Sequence, residues 1–169
     1  MPSAIKARPD ICSNADCFYN MLMRLANHNE YVHDSAHYTC VFSTRGAPSI
    51  TLMDYVKRIA AYSKVTPELW VICVVYLLQL KKIHQTPFNL DVLVFHKNNH
   101  RLVACLTFLA VKFHLDVPPS NAFMAQVYGI SVAEMNRLEM AILNMLEWKL
   151  YVSPKNYEHA LAVLRLYAS

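Results

Sequence analysis

Apolar residues recur every three or four positions along most of this chain, and the alternation of polar and apolar residues that marks β-strands is almost absent. Spacings of three and four are typical of an α-helix that buries one face, because the helix turns once in about 3.6 residues. In LMDYVKRIAAY, for example, Leu52, Tyr55, Val56 and Ile59 share one face. The pattern therefore predicts an all-α fold.

Residues that favour helix ends divide this pattern into separate helices. Ser13, Thr51 and Ser131 each stand three positions before an acidic residue, which is the spacing of a capping box. Pro67 suits the first position of a helix, and Gly129 suits the residue after the last turn, because glycine adopts left-handed backbone angles without strain. The predicted helices span 14–27, 52–63, 67–82, 99–115, a short stretch between Ser120 and Gly129, 132–148, and 153–167.

Two segments lack a clear helical pattern. Residues 29–49 are mostly polar and contain Gly46 and Pro48, so we interpret them as a connection, and we expect residues 84–99 to be irregular or partly helical. The helix over 99–115 is apolar around most of its circumference, and a helix without a polar face must be surrounded by others. We therefore expect five helices to form one bundle with this helix at its centre.

Length and composition exclude several classes of protein. A chain of 169 residues fits one domain, and no apolar run approaches the length of about 18 residues that a membrane span needs. With only two glycines, the chain lacks loops that bring backbone N–H groups against a phosphate, so a nucleotide-binding enzyme is not expected. Lysine and arginine are scattered, and the net charge of +4 indicates a solvated surface. We expect neither nucleic acid nor a membrane as a partner.

The cysteines and histidines do not form the pattern of a disulfide framework or a metal site. Five cysteines without a C-x-x-C pair favour free thiols in a reducing compartment, so we expect the cytoplasm, the nucleus or both. Cys73 and Cys105 lie in apolar runs and lack a positioned base. Two histidine pairs have the i, i+4 spacing of metal ligands without a third ligand: His33 with His37, and His96 with His100. The sequence predicts no catalytic residue, cofactor or metal ion, and a protein that is not an enzyme.

Lys112 is the residue that the pattern of buried positions does not explain. It follows the apolar run CLTFLAV, where the helical spacing calls for a buried neighbour. Burying an unpaired ammonium group is costly, so Lys112 should reach water, a carboxylate or another protein. Glu139 offers the carboxylate, because it lies beside the apolar face of its helix and heads a row of Leu143, Leu146 and Leu150. An exposed apolar strip of this kind is a candidate docking surface.

Both residues also have simpler explanations. A lysine near a helix end can lay its aliphatic stem over Phe108 and expose its ammonium group to water. Glu139 could equally be a solvated residue at the edge of the core. The pattern of residues alone leaves these alternatives open.

Three segments together resemble the cyclin box, and in particular the short cyclins of the phosphate-responsive type, called P- or U-type. The segments are NNHRLVACLTFLAVKFHLD, YGISVAEMNRLEMAILNMLEWKLYVSP and ITLMDYVKRIAAYS. The resemblance covers about 100 of 169 residues, from Leu52 to Leu150. It implies a single cyclin box of five helices around a central third helix at 51–150. An N-terminal extension with a helix at 1–50 and a C-terminal helix at 151–169 flank this box.

The resemblance also implies a function. In cyclins, a lysine of the third box helix and a glutamate of the fifth hold a cyclin-dependent protein kinase, and these roles fall on Lys112 and Glu139. By the same matching, Phe113, Leu143 and Leu150 line the contact. A cyclin does no chemistry; it is a regulatory subunit that activates the kinase by stabilising the active position of its movable helix. We therefore expect such a kinase as the partner, and a chain that is monomeric before it binds.

The chain departs from the family in the second box helix. Most cyclins carry Y-I-D-R there, with the Asp paired to an Arg of the first helix, whereas the matching residues here are Tyr76, Leu77, Leu78 and Gln79. Arg58 must therefore find another acceptor or water. The alternative function is that of a helical adaptor, which binds a non-kinase protein or nucleic acid through a cyclin-like fold.

Overall fold

The computed structural model describes residues 13–32, 40–44, 46, 48–83 and 94–168, and within these ranges the chain forms seven helices and no strand. The helices are α1 (Asn14–Val32), α2 (Leu52–Tyr62), α3 (Pro67–Ile83), α4 (His96–His114), α5 (Asn121–Tyr128), α6 (Val132–Met145) and α7 (Pro154–Arg165). The predicted all-α fold is confirmed. None of the described helices combines the length and the apolar character that crossing a bilayer requires.

Side-chain caps set most of the predicted helix starts. Ser131 Oγ accepts a hydrogen bond from Glu134 N at 3.0 Å, which satisfies a backbone donor that the first turn of α6 leaves without a partner. Gly129 ends α5 with a φ of 69°, in the left-handed region that favours glycine. The hydroxyl groups that accept from the backbone N–H three residues on belong to Ser13, Thr51, Ser120, Ser131 and Ser153.

The C-terminal end of α6 differs from the prediction. The apolar pattern continues to Trp148, but the helix ends at Met145. Glu147 and Trp148 have φ angles of 51° and 59°, so the backbone reverses, and Trp148 N donates to Leu143 O at 2.9 Å. Neither glycine nor proline marks this end, and the pattern of side chains therefore did not locate it.

Two other helix ends lie outside their predicted bounds. α1 continues to Val32 instead of ending near residue 27, so part of the expected connection over 29–49 is helical. α4 begins at His96, within the segment that we expect to be irregular or partly helical. Residues 84–93 of that segment lie outside the described ranges.

The central position of α4 is confirmed. Every residue from 102 to 111 is buried, and the helix packs against α1, α2, α3 and α6. α3 is buried in the same continuous way from Leu69 to Leu77, with α7 and α1 packed on it. Both flanking helices therefore pack on the same core, and α4 can present side chains to the surface only near its ends.

Candidate functional site

Lys112 and Phe113 lie where α4 leaves the core. Val111 is the last fully buried residue of the helix, and the next two side chains become half-buried and exposed in turn. Leu115 caps the helix in an extended conformation, and the Asp-Val-Pro-Pro sequence that follows cannot continue it. The amino-acid sequence therefore places Lys112 in the last turn of a buried helix, with Phe113 45% exposed beside it.

Glu139 comes from the middle of α6. Met135, Leu138 and Ile142 fill the core on that helix, and Glu139 stands next to them with its side chain 11% exposed. Lys112 Nζ approaches Glu139 Oε1 to 2.7 Å, and the Lys112 side chain is 35% exposed. We call these two residues the Lys112–Glu139 pair. The two charges therefore meet at the edge of the core, where one of them still faces solvent.

The structure combines the alternatives that the sequence left open for Lys112. Its Nζ lies over the Phe108 ring, 5.3 Å from the ring centroid, so the ammonium group itself contacts this aromatic side chain. The same ammonium group nevertheless donates a hydrogen bond to Glu139. Glu139 is consequently a partner within the chain rather than a solvated residue at the edge of the core.

The expected apolar strip beyond Glu139 requires a correction. Leu143 is only 3% exposed and Leu146 is fully buried, so both side chains pack into the core of the chain itself. Leu150 lies beyond the end of α6 and is half-buried. Each member of the pair is followed in the sequence by an exposed apolar residue: Phe113 after Lys112, and Met140, which is 48% exposed, after Glu139. The sequence pattern did not indicate a role for Met140. The sequence did indicate that Met140 is exposed, because this apolar residue falls outside the buried row of α6.

A hydrogen-bonded group at the C-terminal end of α4 joins three parts of the chain. Tyr76 OH on α3 lies 2.8 Å from His114 Nε2 on α4 and 3.5 Å from the main-chain oxygen of Leu150. Partial burial lowers the pKa of His114, and burial raises the pKa of Tyr76, so both groups are held in their neutral forms. These contacts fix the last turn of α4 relative to the segment that follows α6.

Arg58, which lacks the usual Asp partner, binds a main-chain oxygen instead. Its Nη2 donates to the main-chain oxygen of Gln126 at 3.0 Å, which connects α2 to α5. Leu78, at the position where most cyclins carry Asp, is half-buried and packs against the core. The exchange of an ion pair for a main-chain hydrogen bond thus preserves a link from α2 to the bundle.

The described residues contain no cluster of three or more metal-ligating side chains. His96 Nε2 lies 2.8 Å from Asn27 Oδ1, and His100 Nε2 lies 2.9 Å from the main-chain oxygen of Ile50. His33 and His37 fall outside the described ranges. Cys73 and Cys105 are free and fully buried, and burial raises the pKa of each thiol.

A bundle of helices packed around one buried central helix, with flanking helices at both ends of the chain, has the all-α fold of the cyclins. The sequence profile of the cyclin family matches residues 20–150, and this chain therefore belongs to the cyclin family.

Relatives of known type support the resemblance to P- and U-type cyclins. The chain is 31% identical to Cyclin-U3-1 of Arabidopsis thaliana over 90% of its own length and 66% of the relative. It is 33% identical to Cyclin-U4-1 of Arabidopsis thaliana over 88% of its length and 73% of the relative. It is 35% identical to Cyclin-P1-1 of Oryza sativa subsp. japonica over 69% of its length and 43% of the relative. The alignments thus span between 43% and 73% of the length of these relatives.

Proposed function

We propose that this chain is a regulatory subunit that binds a cyclin-dependent protein kinase and activates it by stabilising the active position of the kinase's movable helix. The observation that carries the proposal is the Lys112–Glu139 pair, which joins α4 and α6 at 2.7 Å and remains open to solvent on the lysine side. Membership of the cyclin family supports the class of partner.

The pair keeps unused hydrogen-bonding capacity. A lysine ammonium group has three donors and a carboxylate has two acceptor oxygens, whereas the contact between Nζ and Oε1 uses one of each. No other described residue forms a hydrogen bond with either group. The remaining lysine donors can bind main-chain oxygens of a partner, and the second carboxylate oxygen can accept from partner N–H groups.

Apolar contacts next to the pair would supply most of the affinity. Phe113 offers an exposed aromatic ring, and Leu150, whose main-chain oxygen lies 3.5 Å from Tyr76 OH, contributes a half-buried side chain. Charged groups at the edge of an apolar contact fix the register of two partners more than they add to affinity. In this proposal Phe113 and Leu150 bind the movable helix, and the pair sets its position. Leu143 then supports Glu139 from within the core.

Activation requires no chemistry from this chain. A kinase is active only when its own Lys–Glu pair and metal-binding Asp are correctly placed. A subunit that binds this conformation more tightly than the inactive one shifts the population towards it, by an amount set by the difference in affinity. Rigid presentation of the site by a buried helix would therefore favour one kinase conformation over the other.

The proposal is tested by capture of a purified cyclin-dependent kinase on immobilised wild-type chain and on the variants Lys112→Ala and Glu139→Ala. We expect both variants to lose capture while circular dichroism remains that of the wild type. Lys57→Ala and Glu158→Ala are matched controls, because they remove the same charges at exposed positions of α2 and α7. Full capture by both site variants would contradict the proposal.

A further inference from the structure

A concave surface lies apart from the Lys112–Glu139 pair, and neither member of the pair lines it. It has a volume of about 680 Å³ and opens between the C-terminal end of α3, the turn that follows α6, and α7. Its lining combines apolar and cationic side chains, among them Val75, Leu78, Ile83, Lys81, Lys82 and Lys149. We call it the α3–α7 cleft. Binding sites for ligands commonly have volumes of about 300–1,000 Å³, so the cleft is large enough to hold part of a peptide.

The charge of the cleft is positive at its edge. Lys81 and Lys82 are exposed in the last turn of α3, and no described carboxylate forms an ion pair with either. Lys149 is paired with Glu147, which offsets its charge. Lysines at a helix C-terminus are favoured by the helix dipole, so their presence alone indicates no ligand. Because Lys81 and Lys82 also lie beside an apolar cleft, they can bind the carboxylates of a ligand in that cleft.

Gln79 provides an independent observation. Its Oε1 is shielded from solvent and accepts no hydrogen bond from any described residue, although its side chain lines the cleft. A buried acceptor without a donor is unfavourable. Rotation of the half-buried Gln79 side chain into the cleft would expose its Oε1 to a main-chain N–H of a bound peptide, which would supply the donor. An inorganic polyanion would supply only acceptors and would make no use of Leu78 and Ile83.

We propose that the α3–α7 cleft is a docking site for an acidic peptide segment of a partner protein, in which an apolar residue is flanked by carboxylates. The apolar side chain contacts Val75, Leu78 and Ile83, the carboxylates bind Lys81 and Lys82, and a main-chain N–H donates to Gln79. This site shares no residue with the Lys112–Glu139 pair, so it does not depend on the kinase-binding proposal.

The test uses fluorescence anisotropy of six labelled peptides with the full-length chain. Each peptide has seven residues, with Leu or Ser at the centre and Glu, Gln or Lys at the other positions. We expect the Glu peptide with a central Leu to bind about tenfold more tightly than each of the other five, because it alone satisfies both the lysines and the apolar lining. Equal binding of the Leu and Ser peptides, or of the Glu and Gln peptides, would overturn the proposal.

Two variants locate the binding in the cleft. Lys82→Glu should weaken binding of the Glu peptide about tenfold, whereas the matched reversal Lys57→Glu, at an exposed position of α2, should leave the affinity of the peptide unchanged. Gln79→Leu should raise the melting temperature, because it removes an unsatisfied acceptor, and should weaken the peptide, because it removes the main-chain contact. Undiminished binding by Lys82→Glu or Gln79→Leu, or equal weakening by Lys57→Glu, would overturn the assignment.

Discussion

Exchanging the two charges of the Lys112–Glu139 pair should separate the stability of the chain from its affinity for a kinase. In the double variant Lys112→Glu/Glu139→Lys, an ammonium group and a carboxylate still meet between α4 and α6, so the folded state keeps their attraction. A kinase that binds the ammonium group at position 112 would instead contact a carboxylate there, and it would contact an ammonium group at position 139. We therefore expect a double variant that melts close to the wild type and does not bind the kinase.

The geometry of the pair sets the size of the stability effect. The two charged atoms are 2.7 Å apart, but the Lys112 side chain is 35% exposed, so solvent screens their attraction. Pairs of this kind contribute about 0–1 kcal/mol, and two like charges at the same place would cost a similar amount. Each single reversal loses the attraction and adds the repulsion, so it should cost up to about 2 kcal/mol, and the double exchange should recover most of it. For a chain of this length each kcal/mol changes the melting temperature by about 2–4 °C.

Kinase binding should respond on a larger scale. Truncating one partner of a charge pair that a complex buries costs about 2–5 kcal/mol, which corresponds to a loss of affinity of about thirtyfold or more. Thermal melting followed by circular dichroism measures the change in stability, and titration of a purified cyclin-dependent kinase measures the change in affinity. The control Lys57→Glu/Glu158→Lys reverses two exposed charges and should change neither. Wild-type affinity of the double variant for the kinase would contradict the proposal that the pair sets the position of the kinase's movable helix.

Three further predictions concern the rest of the bundle. Asn99 is fully buried and neither atom of its side-chain amide has a partner among the described residues, so Asn99→Leu should raise the free energy of unfolding by about 1–3 kcal/mol in urea titrations. Arg101 binds Glu134 at 2.6 Å and the main-chain oxygen of Ser43 at 2.7 Å, so Arg101→Ala should lower that free energy by about 1.5–3 kcal/mol, and an unchanged urea midpoint would contradict this. Burial lowers the pKa of His100 in the folded state, so the unfolded chain takes up more protons than the folded chain below about pH 6.5. The melting temperature should therefore fall from pH 7 to pH 5, and it should fall less steeply for the variant His100→Gln.

Local side-chain chemistry made most of the helix starts predictable. A hydroxyl that caps the first turn acts over three residues, so Ser131 and Glu134 reveal the start of α6 without knowledge of the rest of the fold. Gly129 reveals the end of α5 for the same reason, because only its own backbone conformation is involved. The continuous burial of α4 was equally visible, since an apolar circumference requires neighbours on every side.

Features that depend on distant contacts were not predictable from the same pattern. α6 ends at Met145 because Glu147 and Trp148 take left-handed conformations, for which their residue types give no signal. Leu143 lies on α6 itself and is only 3% exposed, so the row that Glu139 begins faces the core before the helix ends, and Leu146 is buried as well. The strip that spacing predicts on an uninterrupted helix therefore does not exist on the folded chain.

The Lys112–Glu139 pair lies between these two cases. Its members are 27 positions apart, so no local rule could join them, and the pattern showed only that each was anomalous on its own helix. The resemblance to cyclins named both residues, and the structure shows that they meet. A contact that merely neutralised two charges could sit anywhere on the surface. This one lies at the point where the central helix leaves the core, with Phe113 exposed beside it, and under the proposed function an ion pair at that point sets the register of the partner helix.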